Sequence, residues 1–177
     1  EKKYKSRLKL LEKFIRIAAE LRKLNNFHLV MAFLVAFNNS AISRLKWTFA
    51  KLPKKVTAML REIETTMSME GSFKLYRAAL DQVDSPCIPY VGVALTDLTF
   101  VEEGNPNKLD NKIYFVKQKF VHNIVNQLLR FQHLSYAGIQ PVDSLVHFIN
   151  GQPKMDDKQL YAQSLLLEPR GAPQPKF

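Results

Sequence analysis

Pro86-Cys87-Ile88-Pro89-Tyr90-Val91-Gly92-Val93-Ala94-Leu95-Thr96-Asp97-Leu98-Thr99-Phe100-Val101 is the stretch on which the fold turns. From Tyr90 onward it is rich in β-branched residues, and propensity alone reads a buried strand. A strand must pair its backbone amides and carbonyls with a neighbour, and the rest of the chain carries helical spacing. The expectation is therefore a helix, with tertiary context overriding propensity. Gly104-Asn105-Pro106 stops it.

Working outward, Leu8, Leu11, Ile15, Ala18 and Leu21 recur at three- and four-residue steps among Lys and Glu, an amphipathic helix from about residue 4 to 24. Asn25-Asn26 breaks it. Phe27 to Phe37 is apolar almost all round, which places it centrally. Asn38-Asn39-Ser40 caps a further helix, Ala41 to Lys51. Pro53 opens a helix to about Met67. Gly71 punctuates, and Phe73, Tyr76, Ala79 and Leu80 give another stripe. After the stop at Gly104, Ile113 to Leu134 reads as one long helix with Phe120, Ile124, Leu128 and Phe131 on one side. Val142 to Ile149 and Asp156 to Leu167 close the fold, and Pro169 to Phe177, rich in Pro and Gly, reads as a loose tail. The fold class is all-α.

A chain of 177 residues with 46% hydrophobic content is one ordinary globular domain, which excludes disorder over most of its length. Its formal charge of +10 suits an acidic partner, whether nucleic acid, anionic lipid or an acidic protein face. The single cysteine, Cys87, excludes an internal disulfide framework and a Cys-rich zinc site, and fits a reducing compartment. No apolar run approaches the ~20 residues of a membrane span.

Covalent catalysis finds no support. Every glycine stands singly, so no nucleotide-binding glycine loop exists. His122 and His133 fall on one face of the expected long helix but lie roughly 16 Å apart, too far to share a metal. His28 and His147 lie in apolar runs and read as core or rim residues. Cys87 reads as a buried structural thiol. Lys2, Lys3, Lys5, Arg7 and Lys9, with Lys51, Lys54 and Lys55, read as solvated helix surface. Aromatics do not interleave with them as nucleic-acid binding would require.

Pro86-Cys87-Ile88-Pro89-Tyr90 followed by Leu95-Thr96-Asp97-Leu98 resembles the signature of the catalytic domain of Ras-type guanine-nucleotide exchange factors, the Son-of-sevenless class. Leu24-Asn25-Asn26-Phe27, the run Asn38 to Leu45, Glu102 to Pro106 and Ser164 to Arg170 continue the likeness in order along nearly the whole chain. The resemblance implies an irregular all-helical domain with a protruding helical hairpin, the first arm Tyr90 to Glu103 and the second from about Ile113. It also implies that the chain begins after the family's first helices, being the C-terminal larger part of that domain. Reduced stability would follow, because the amphipathic N-terminal helix lacks an obvious packing partner.

What the resemblance implies about function is nucleotide exchange on a Ras-family small GTPase (Ras, Rap or Ral type), without covalent chemistry and without a cofactor. The hairpin prises the GTPase's first switch from the nucleotide and disturbs the magnesium and phosphate site. By alignment, Glu103 is the carboxylate reaching the groups that hold the phosphate, and Thr99 stands at the magnesium site, where other members carry a larger apolar residue. Leu98 and Phe100 are candidates to share its role. Tyr90, Thr96, Asp97 and Asn105 align near the GTPase; Met31, Asn38, Ser40, Ser43, Arg44 and Phe73 align with the surface anchoring the second switch. A cytoplasmic location with peripheral membrane recruitment through flanking domains is expected, and no nucleic-acid partner. The alternatives are a catalytically silent relative serving as an adaptor-binding scaffold, against which Glu103 counts, and an unrelated basic helical module binding nucleic acid.

Overall fold

The computed structural model describes residues 2–84 and 86–171. It is predominantly helical, as expected. Along the chain run α1 (Tyr4–Lys23), α2 (Phe27–Asn38), α3 (Ser40–Ser43), α4 (Lys46–Ala50), α5 (Lys54–Thr66), α6 (Glu70–Asp81), α7 (Val91–Gly104), β1 (Lys108–Leu109), β2 (Lys112–Ile113), α8 (Phe115–Leu129), α9 (Asp143–Asn150) and α10 (Asp157–Leu167). The chain divides into two compact units: residues 1–19, 32–64 and 136–177 in unit 1, and 20–31 and 65–135 in unit 2.

In unit 1, the helix expected over Ala41 to Lys51 is two helices, α3 and α4, broken at Arg44 and Leu45. The break has a polar cause. Glu168, only 3% exposed, lies against the start of α4 and accepts from the amides of Trp47 (2.9 Å) and Thr48 (3.0 Å) and from the Thr48 hydroxyl (2.7 Å). A side chain 120 residues downstream thus caps amides that a continuous helix would have spent on its own carbonyls. Arg7 joins the cluster through Nε to Thr48 Oγ1 (3.0 Å), and Arg44 donates to the carbonyls of Ser164 and Glu168, both at 2.7 Å. Asp156 and Gln159 form the capping box that starts α10.

The N-terminal helix does find a packing partner, which corrects the sequence expectation: Arg7, Leu11, Ile15 and Ala18 are buried. Leu10, Phe14 and Ile17 remain exposed beside that face. Leu10 and Phe14 line an apolar cavity of about 260 Å³ with Phe37, Ile42, Phe49 and Leu167. His147 is also exposed, since no residue of α9 is buried. The tail beyond Gly171 lies outside the described residues.

In unit 2, Asn25 takes a left-handed turn (φ 55°) and opens its carbonyl to the Ile88 amide at 3.0 Å. The Ile88 carbonyl accepts in turn from the His28 amide at 3.3 Å. This short parallel bridge ties the Pro86–Pro89 segment to the Asn25-Asn26 break. Cys87 is buried as expected, but His28 is exposed, its ring beside Tyr90, which excludes the core alternative for this histidine and leaves the rim one.

The long helix expected from Ile113 to Leu134 is shortened at both ends, and His133 falls in the turn beyond it. Its start is taken by a two-residue hairpin, with Lys108 opposite Ile113 and Leu109 opposite Lys112. Asp110 (φ 51°) and Asn111 (φ 62°) make the turn, a conformation short polar side chains tolerate.

Candidate functional site: the helical hairpin of unit 2

The strand-or-helix stretch is α7, whose entry is fixed by Tyr76 of α6. The Tyr76 ring is 2% exposed and packs edge-on against Phe27 at 5.2 Å. Its hydroxyl accepts from the Tyr90 amide at 2.9 Å and donates to the Tyr90 carbonyl at 3.4 Å, so the residue preceding the helix is gripped at both backbone groups. Burial pushes the Tyr76 hydroxyl pKa up to about 12, keeping it a donor. The Tyr90 ring folds back over Gly92: a β-carbon there would meet it at 2.5 Å, which explains the glycine.

Once begun, α7 has two faces. Val93 and Ala94 are buried, and Asp97, Leu98 and Val101 half-buried; Leu95, Thr96, Thr99, Phe100 and Glu103 are exposed. Phe100 is 67% exposed and Leu95 58%. Three- and four-residue spacing puts Thr96, Thr99, Phe100 and Glu103 on one outward stripe. Of the four residues expected to act on the nucleotide site, this stripe brings together Thr99, Phe100 and Glu103, and Leu98 turns partly inward. The Thr96 and Thr99 hydroxyls donate to the carbonyls four residues back, Gly92 at 2.9 Å and Leu95 at 3.0 Å. That bond satisfies each hydroxyl within the helix.

The other expected residues divide. Asp97 is gripped by Arg77 of α6, which donates through both guanidinium arms at 2.8 Å. Asn105 donates from its side-chain amide to the Val101 carbonyl at 3.0 Å, finishing α7. Phe73 sits in a left-handed turn within α6, where Gly71, Ser72 and Phe73 all have positive φ. Two non-glycine residues in that region cost on the order of 1–3 kcal/mol each. The turn is held by the Phe73 ring against Tyr76 and Tyr90, and by Arg77 Nε donating to the Ser72 carbonyl at 2.8 Å. Met31 is half-buried in unit 2. In unit 1, Asn38 and Ser40 are exposed, Ser43 is half-buried, and Arg44 is engaged with the carbonyls of Ser164, in the last turn of α10, and of Glu168 just after it.

The hairpin tip is organised by a residue the sequence reading passed over. Lys117, in the first turn of α8, is 1% exposed, and its ammonium meets the Glu102 carboxylate at 2.8 Å, the Asn107 side-chain oxygen at 2.7 Å and the Glu102 carbonyl at 3.2 Å. Glu102 is thereby bound into the hairpin. The carboxylate of Glu103 has no hydrogen-bond or ion-pair partner among the described residues.

Among the described residues, no group of three His, Cys, Asp or Glu side chains could hold a metal ion, and no helix is long and apolar enough to cross a membrane. The sequence pattern of the RasGEF domain matches residues 1–119. The chain belongs to the RasGEF domain family. It is 43% identical over 171 residues to Ras guanine nucleotide exchange factor K of Dictyostelium discoideum, a match covering 95% of this chain and 11% of the relative. It is 35% identical over 166 residues to human Ras-specific guanine nucleotide-releasing factor 1, covering 93% of this chain and 13% of the relative. Human Rap guanine nucleotide exchange factor 1 is 39% identical over 171 residues, covering 96% and 15%. The chain spans between about a tenth and a fifth of the length of the curated relatives it matches.

Proposed function

We propose that this chain carries guanine-nucleotide exchange activity on a Ras-family small GTPase, with the α7–α8 hairpin as the acting element. The observation that carries the reading is the outward stripe of α7, where Glu103 stands unpaired among the described residues beside a paired Glu102. A carboxylate near a helix C-terminus is disfavoured by the helix dipole. A surface carboxylate kept there without a local partner fits one whose partner is another molecule. Family membership and the names of the relatives point to the same partner class.

The mechanism is a competition of ligands. Nucleotide and magnesium hold the GTPase in one conformation, and the hairpin binds the other. Because coupling is reciprocal, each ligand weakens the other, and the factor speeds release without consuming energy. Glu103 offers negative charge to the cationic and hydroxyl groups that phosphate leaves. Thr99 and Phe100 occupy space at the magnesium side, with Leu98 behind them, and Thr96, Asp97 and Asn105 border the same arm. Met31 and Phe73 of unit 2, and separately Asn38, Ser40, Ser43 and Arg44 of unit 1, are the residues assigned to the second switch, and Tyr90 stands near the GTPase at the start of the hairpin arm. The test is release of a fluorescent GDP analogue from Ras, Rap and Ral type GTPases. Acceleration by this chain on at least one supports the reading; silence on all of them, with the chain folded, rejects it in favour of a scaffold.

A further inference from the structure

We infer that Lys117 is a positioning residue for exchange: it binds Glu102 into the hairpin and so sets the helix end from which Glu103 projects. This rests on the function proposed above.

An ammonium group has three donors, and Lys117 meets three acceptors, all within the hairpin: the Glu102 carboxylate and carbonyl, and Asn107. With these taken, Lys117 has no donor left for Glu103. Two consecutive carboxylates in the last turn of α7 are thus made unequal by one buried cation. A charge 1% exposed is tolerated in the fold only when it is paired and hydrogen-bonded. The geometry is therefore held from both sides. The Glu102 carbonyl is an orphan of the helix end, and tying it to α8 fixes the backbone one residue before Glu103. Asn107 carries the tether past the end of the helix, and its own carbonyl accepts from the Tyr114 amide at 3.0 Å, closing the short β-hairpin. Lys117 acts on Glu103 through the backbone and touches no substrate.

The test measures nucleotide release by the full chain from a Ras GTPase and a Rap GTPase carrying a fluorescent GDP analogue. Lys117→Met, Lys117→Arg, Glu102→Gln and Glu103→Ala are compared, together with Lys117→Met in the Glu103→Ala background. Misplacing a reacting group by an ångström costs up to about a hundredfold. The expected result is that Lys117→Met lowers kcat on the order of tenfold or more with KM for the GTPase unchanged. Lys117→Arg recovers part of that loss, Glu102→Gln shows a smaller loss in the same direction, and Lys117→Met costs nothing further once Glu103 is gone. A general packing role would lower activity equally in both backgrounds, and that result overturns the inference. So does an unchanged kcat in Glu102→Gln, the exposed partner, which carries the test if Lys117→Met fails to fold. If Glu103→Ala itself releases nucleotide at the full rate, the catalytic assignment of Glu103 fails, and the inference fails with it.

Discussion

Arg77 and Asp97 join α6 to α7 through two parallel hydrogen bonds, both at 2.8 Å, with the pair partly open to solvent. The third guanidinium nitrogen, Nε, donates to the Ser72 carbonyl, so one side chain braces both the left-handed turn that carries Phe73 and the helix that carries Glu103. The hydrogen bond to Asp97 is the main cause holding the Arg77 pKa above its usual value. Asp97, placed at the GTPase-facing arm by the sequence, is therefore neutralised from within.

A part-exposed bidentate pair is worth little in stability. Arg77→Met is expected to cost roughly 0.5–1.5 kcal/mol in a denaturant titration. A loss above about 3 kcal/mol would mean that the pair behaves as a buried one.

The Glu168 cluster in unit 1 should behave in the opposite way. Its carboxylate is buried and accepts three hydrogen bonds at α4. Glu168→Gln turns an amide donor toward amides that already donate. The expected cost is about 2–4 kcal/mol, and the loss should be less than additive with Thr48→Val. Additive losses measured by a double-mutant cycle would contradict the shared network.

Alkaline pH should loosen unit 2. Burial raises the Cys87 thiol from 9.0 to about 11 and the Tyr76 hydroxyl from 10.0 to about 12. Each group stays protonated in the folded state over a range where the unfolded chain has already lost the proton. The unfolded state then binds fewer protons, so stability falls as pH rises, from about 9 to 11 for Cys87 and from about 10 to 12 for Tyr76. Chemical denaturation repeated at stepped pH checks this, and Cys87→Ala should remove the earlier part of the fall. The same burial predicts slow alkylation of Cys87 in the folded protein at neutral pH. Rapid labelling there would contradict it.

Much of the architecture was legible because it rests on local periodicity. The stripe of α1, the apolar run of α2, the Pro53 start of α5, the extent of α10 and the stop at Gly104 fall close to where the structure has them. The break between α3 and α4 was not, because its cause is Glu168, distant in sequence. The hairpin at Asp110-Asn111 did carry a turn signal, masked by reading Ile113 as helical. Lys117 also left a trace. Phe120, Ile124 and Leu128 form one stripe of α8, and Lys117 continues it three residues upstream. A charged residue buried on an apolar stripe asks for a partner of opposite charge. What no local pattern supplies is which neighbouring carboxylate that partner is.

The most direct test of the account compares Glu103→Ala with the unmodified chain in fluorescent-nucleotide release from a Ras and a Rap GTPase. The account predicts a fall in the accelerated rate on the order of tenfold or more with the melting midpoint unchanged, because Glu103 has no partner among the described residues to lose. Full acceleration by Glu103→Ala would contradict it.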